Sequence, residues 1–135
     1  MKRESWLAAA PESARIARAI VRDAAVEHGL DDEATWDLTL ATTEAVANAI
    51  VHGTACEYGD GAKGILLRVL SCDDGLCVEV CDCGHFDSAL PPPAPDATSG
   101  RGIPIIAAVV DRFELVPDGS LTRVRFGKRR DLAAA

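Results

Sequence analysis

The chain has 135 residues, 48% of them hydrophobic but only 4% aromatic, a formal charge of −7 and five cysteines. That length suits a single domain over residues 1–135, with a core of Ala, Val, Ile and Leu of the kind found where helices cover one face of a sheet. The acidic balance excludes broad attraction to nucleic-acid backbones or anionic membranes, and the first ten residues hold no secretory apolar region, so a soluble cytoplasmic protein is expected.

Between residues 12 and 28, Ile16, Ala19, Ile20 and Val26 alternate with Arg15, Arg18, Arg22 and Glu27, which predicts an amphipathic first helix ended by Gly29. Asp31 or Asp32 caps a second helix, whose apolar face runs through Leu38, Ala41, Ala45 and Ala49 until Gly53 stops it. Gly59, Asp60 and Gly61 mark a loop, and residues 64–70 read as a strand. A turn at Asp73, Asp74 and Gly75 leads into a partner strand over 76–82, with Val78 and Val80 on one face and Cys77, Glu79 and Cys81 on the other.

Residues 88–99 contain Pro91, Pro92, Pro93 and Pro95 with no hydrophobic period, and read as a long loop of the lid type. After Gly100, Arg101 and Gly102 a third helix runs to about Asp111, and its apolar run from Ile103 to Val110 is too short to cross a bilayer. Residues 113–116 and 121–126 form a last hairpin around Pro117, Asp118 and Gly119, and residues 128–135 read as a frayed tail. The odd cysteine count (Cys56, Cys72, Cys77, Cys81, Cys83) without secretory context reads as reduced thiols, and paired metal-binding knuckles are absent.

Glu44, Asn48 and His52 recur every four residues, so they stack on one side of the second helix, inside an otherwise apolar stretch. A polar stripe in such a setting points to a site. The neutral amide oxygen of Asn48 suits Mg2+, and the Glu44 carboxylate one turn away can take a proton from an attacking hydroxyl. Asp82 and Gly84 follow a strand end, where a carboxylate can accept hydrogen bonds from an exocyclic amine while glycine permits close approach of a ring. Gly100, Arg101 and Gly102 precede a helix, whose free N–H groups can receive phosphate oxygens.

Residues 43–53, with Thr43, Glu44, Asn48, His52 and Gly53, closely resemble the N-box of the anti-sigma-factor serine/threonine kinases within the GHKL (Bergerat-fold) ATPases. Asp82-Cys83-Gly84 resembles their first glycine box, and Gly100-Arg101-Gly102-Ile103-Pro104 their second. The resemblance implies a two-layer α/β sandwich, a mixed and mostly antiparallel sheet covered by about three helices. It implies ATP held by Asn48, His52, Asp82, Gly84, Gly100, Arg101, Gly102, Ile103 and Thr122, with Mg2+ on Asn48 and Glu44 as the catalytic base. It further implies a serine/threonine kinase that phosphorylates an anti-anti-sigma partner of the STAS type and sequesters a sigma factor, with homodimerisation and with Arg15 on a partner-binding face.

The sequence departs from the family in the first glycine box, usually Asp-x-Gly-x-Gly-Phe and here Asp82-Cys83-Gly84-His85-Phe86, one glycine short. That difference favours the alternative function, a binding module that sequesters a partner without phosphoryl transfer. A detached histidine-kinase catalytic domain is disfavoured by the compact lid and the lack of a phosphoacceptor helix.

Overall fold

The structure, a computed structural model, describes residues 2–53, 55–57, 62–72, 74–83, 102–118 and 121–129. In chain order these form β1 (Lys2–Ala8), α1 (Ser13–Glu27), α2 (Asp32–His52), β2 (Cys56–Glu57), β3 (Lys63–Cys72), β4 (Gly75–Asp82), α3 (Gly102–Val109), β5 (Arg112–Asp118) and β6 (Leu121–Arg129). The sheet runs β1-β3-β4-β6-β5, with β2 paired to β3, and each ladder among the described residues is antiparallel. This is the expected two-layer α/β arrangement.

Strand alternation gives the sheet two unlike faces. Leu7, Ile65, Leu67, Val69, Leu76, Val78, Val80, Val124 and Phe126 point to the helices and join one core with Val21, Leu38, Val46 and Ile106. On the opposite face a row of alternating charge crosses the strands: Glu4 pairs with Arg68, Arg68 with Glu79, Glu79 with Arg125 and Arg125 with Glu114. Glu79 is only 4% exposed and lies 3.6 Å from Arg68, 3.5 Å from Arg123 and 3.9 Å from Arg125. Hydrogen bonds from Lys2 and Arg68 hold the exposed Glu4 carboxyl below its ordinary range.

Both long helices begin or end where their sequences direct. The Asp31 side chain accepts the Ala34 N–H at 2.7 Å, which caps α2. At the end of α1, Gly29 takes a φ of 84°, and the N–H groups of Gly29 and Leu30 donate to the carbonyls of Val26 and Ala25, closing the helix in a Schellman motif.

Three expectations need correction. First, the buried stripe of α1 is Ser13, Ala17, Val21, Ala24 and Ala25, not the one through Ile16, Ala19, Ile20 and Val26. The helix has two apolar arcs, and the small side chains of one let α1 approach α2 closely, which leaves Ile16 and Val26 exposed. Second, β6 continues through Lys128 and Arg129, where fraying was expected. Leu76 and Gly75 supply its ladder partners, and the Lys128 ammonium reaches Asp37 at 2.9 Å and the Val109 carbonyl at 2.9 Å. Pro117 is accordingly not in a turn but in β5, an edge strand, where a missing N–H is tolerated.

Third, four of the five cysteines are not reduced thiols: Cys56 is bonded to Cys83 and Cys72 to Cys77, with Cα separations of 5.2 Å and 6.0 Å. Cys72 and Cys77 are diagonal neighbours on one face of the β3–β4 hairpin, a proximity that follows from register rather than from cysteine count. Cys81 alone stays free, and burial pushes its thiol above the ordinary range.

Candidate functional site

The site is assembled where α2, β4 and β6 meet. Within α2, buried positions span Ala34, Leu38, Thr39, Ala41, Thr42, Ala45, Val46 and Ala49, a wide arc because the helix packs on the sheet and between α1 and α3. Thr39, Thr42 and Thr43 return their hydroxyls to the carbonyls of Trp36, Leu38 and Thr39, so this threonine-rich stretch satisfies its own polar groups.

Glu44, Asn48 and His52 occupy the remaining arc, spaced by about 6 Å of helix rise per step. Glu44 and Asn48 are half-buried and His52 is exposed. Among the described residues, two buried side-chain polar atoms find no hydrogen-bond partner, Thr35 Oγ1 and Asn48 Nδ2. Thr35 lies in the first turn of α2, about 20 Å along the helix from Asn48. An unpaired buried amide costs about 1–3 kcal/mol, so Asn48 is a group short of a partner at the centre of the polar stripe.

The C-terminal end of α2 touches the end of β4. A Cβ at Gly53 would stand 2.5 Å from the Ala49 carbonyl oxygen and 2.7 Å from both Cγ and Oδ2 of Asp82. Gly53 has an ordinary φ of −86°, so glycine is required there for space and not for backbone freedom. Asp82 is 7% exposed and stands opposite Thr122 in the β4–β6 ladder, both on the helix side of the sheet. Thus Asp82, Thr122 and Gly53 come together, with Asn48 and His52 in the last turn and a half of the adjoining helix.

The other expected site residues are less closely described. Gly102 opens α3 and Ile103 follows it; the helix packs on α2, with Ile106 fully buried in the core. Gly84, Gly100, Arg101 and the expected lid lie outside the described residues. Arg15 is exposed on α1 beside Ile16.

The profile of the histidine kinase-like ATPase domain family matches residues 7–127. The chain belongs to that family. Among solved structures this histidine kinase-like ATPase domain is similar to the crystal structure of the RsbU and RsbW domains of Rv1364c from Mycobacterium tuberculosis, with a TM-score of 0.71 and 24% identity over 96% of the present chain. The domain spans 32% of the length of that relative, and at this identity the likeness is one of fold. No curated protein matches it significantly. Among the described residues no helix is long and apolar enough to cross a membrane.

The residues of the domain fit a nucleotide and a hard cation. An amide oxygen such as that of Asn48 is a donor suited to a hard cation, and Asp82 supplies a carboxylate seated against Gly53 at the end of the same helix. Two features escaped sequence reasoning. Gly53 reads in the sequence as a helix stop, and its contact with a residue 29 positions later carries no local signal. The Cys56–Cys83 bond likewise depends on β2, a two-residue strand inside a stretch that reads as a loop.

Proposed function

We propose that this domain binds ATP with Mg2+ and acts as a serine/threonine kinase of the anti-sigma type, phosphorylating an anti-anti-sigma partner of the STAS class and sequestering a sigma factor, as a cytoplasmic homodimer. The observation that carries the reading is the Asn48 amide nitrogen, buried without a hydrogen-bond partner among the described residues, on the same stripe as Glu44, in a chain of the histidine kinase-like ATPase family. When bound, ATP supplies the phosphoryl group and Mg2+ neutralises its charge. Asn48 would hold the metal through its side-chain oxygen, Asp82 with Gly84 would receive the exocyclic amine of the base, and Thr122, His52 and the run Gly100, Arg101, Gly102 and Ile103 would complete the nucleotide site. Glu44 would accept the proton of the partner's serine hydroxyl as that oxygen bonds to the γ-phosphoryl group, whose bond to the β-phosphate breaks to leave ADP.

Partner recognition falls to α1 in this reading. Arg15 stands beside Ile16, and the apolar arc of Ile16, Ala19 and Val26 faces solvent, a mixed surface suited to a protein partner.

The shortened glycine box after Asp82 favours a second reading, a nucleotide-binding module that sequesters its partner without phosphorylating it. The two separate in one experiment: calorimetric titration with ATP with and without Mg2+, followed by phosphate transfer to a STAS-type partner by the intact protein and by Glu44→Ala. The kinase reading expects Mg2+-dependent binding by both proteins and transfer by the intact protein alone. Binding without transfer leaves the sequestering module, and no binding removes the catalytic assignments.

A further inference from the structure

The cysteines play no part in the nucleotide reading, yet one bonded pair borders its site. Cys56 is three residues beyond Gly53, and Cys83 directly follows Asp82. Register explains how they meet. Leu66 of β3 faces Cys81, so Gly64, two residues back, faces the place that residue 83 would take if β4 continued; instead Gly64 pairs with Cys56. β2 therefore succeeds β4 beside β3, and the Cys56–Cys83 bond ties the strand that leaves to the strand that replaces it.

We infer that Cys56–Cys83 is a reversible redox latch on the nucleotide site, an inference that rests on the nucleotide reading above. Closed, the bond fastens the segment after Gly53 to the residue after Asp82, which keeps the carboxylate seated against the end of α2. Open, β4 ends without that tie, and ordering Asp82 becomes part of the cost of binding. Coupling is reciprocal: nucleotide favours the closed bond as much as the closed bond favours nucleotide.

Three observations favour a latch over a structural staple. A domain of this size with a continuous aliphatic core beneath the sheet does not depend on cross-links for its stability. Cys83 is partly exposed whereas Cys56 is 4% exposed, so an outside thiol has a route to one sulfur of the pair. The free Cys81 is buried with its thiol held neutral, so it does not compete by internal exchange.

The chemistry balances with a dithiol as reductant. Its first thiolate attacks Cys83 Sγ; the bond to Cys56 breaks, and Cys56 leaves as a thiolate that takes a proton. The second thiol of the reductant then attacks its own sulfur in the mixed disulfide, Cys83 leaves and is protonated, and the reductant ends as a disulfide, two electrons and two protons having passed to the protein. A disulfide oxidant reverses the sequence. Cys72–Cys77 provides an internal control, because Cys77 lies six residues before Cys83 along β4, about 20 Å away.

The test is ATP–Mg2+ titration of the full chain, oxidised and after reduction by excess dithiol, with Cys83→Ser and Cys77→Ser measured in parallel and far-UV circular dichroism recorded for each. The latch expects affinity to fall about fivefold or more on reduction. Cys83→Ser should match the reduced protein under both conditions, Cys77→Ser should keep the difference, and ATP should slow thiol labelling of Cys56 and Cys83 during reduction. Equal affinities of the oxidised and reduced protein overturn it. So does loss of the folded spectrum on reduction, which would make the bond a staple, or labelling of both cysteines after treatment with a disulfide oxidant. Absence of ATP binding in both redox states has a different signature, and withdraws the nucleotide reading together with the latch.

Discussion

The Asp82 carboxylate abuts Gly53 so closely that a methyl group at residue 53 would stand 2.7 Å from its Cγ and Oδ2. The contact joins the end of the helix that carries Glu44 and Asn48 to the end of the strand that carries Asp82. Gly53→Ala is therefore expected to displace one or the other. Because the same methyl would also meet the Ala49 carbonyl at 2.5 Å, rotating Asp82 away does not relieve the strain. The expected outcome is a loss of about 1–3 kcal/mol of stability in urea unfolding. ATP affinity should fall in the same variant by more than that instability explains.

Asn48→Ala should separate function from stability. The side chain contributes a buried amide nitrogen with no hydrogen-bond partner among the described residues, so its removal costs little in the free protein, within about 1 kcal/mol of wild type. If Asn48 holds the metal, Mg2+-dependent ATP affinity should fall about tenfold or more. Thermal denaturation with and without ATP–Mg2+ reads both effects: nearly equal melting temperatures in the free state, and a nucleotide-induced rise that is larger in the wild type than in the variant.

Glu79 places one carboxylate among three guanidinium groups on the face of the sheet away from the helices. Glu79→Gln leaves Arg68, Arg123 and Arg125 crowded around a neutral side chain. With Glu79 buried but the arginines partly exposed, the loss should be about 1–3 kcal/mol, less than for a fully buried pair. It should appear as a lower urea midpoint with an unchanged slope, and should shrink in high salt.

Cys81 predicts an alkaline effect. Burial is the main cause of its raised thiol pKa, Arg68 pulling partly the other way, so folding favours the neutral form. That contribution to stability is complete below the unfolded thiol's value of about 9 and is lost as pH climbs through the higher folded value. Native protein at pH 8 should therefore resist alkylation at Cys81 and react once unfolded in urea, and Cys81→Ala should flatten the decline of stability above about pH 9.

The extent to which the sequence was legible depends on the range of each signal. The capping Asp31, the Gly29 stop, the stripe of Leu38, Ala41, Ala45 and Ala49, and the alternation of Val78 and Val80 against Cys77 and Glu79 are all carried by residues within a few positions of one another. Helical and strand periodicity is local geometry, so those elements could be read directly, while the two-layer fold came from the resemblance of the motifs they carry. The spacing of Glu44, Asn48 and His52 on one helix is local in the same sense.

What the tertiary structure alone decided is of another kind. Which apolar arc of α1 is buried depends on the gap left by α2, and small residues win where layers approach closely. That Lys128 and Arg129 stay in the sheet depends on Leu76 and Gly75, over fifty residues earlier. The pairing of Cys56 with Cys83 depends on β2 entering the sheet where β4 leaves it. The seat of Asp82 against Gly53 depends on both helix and strand ending at the same corner. Periodicity specifies which side of an element is apolar, but proximity between distant elements is set by register and packing, and no local pattern of residues encodes it.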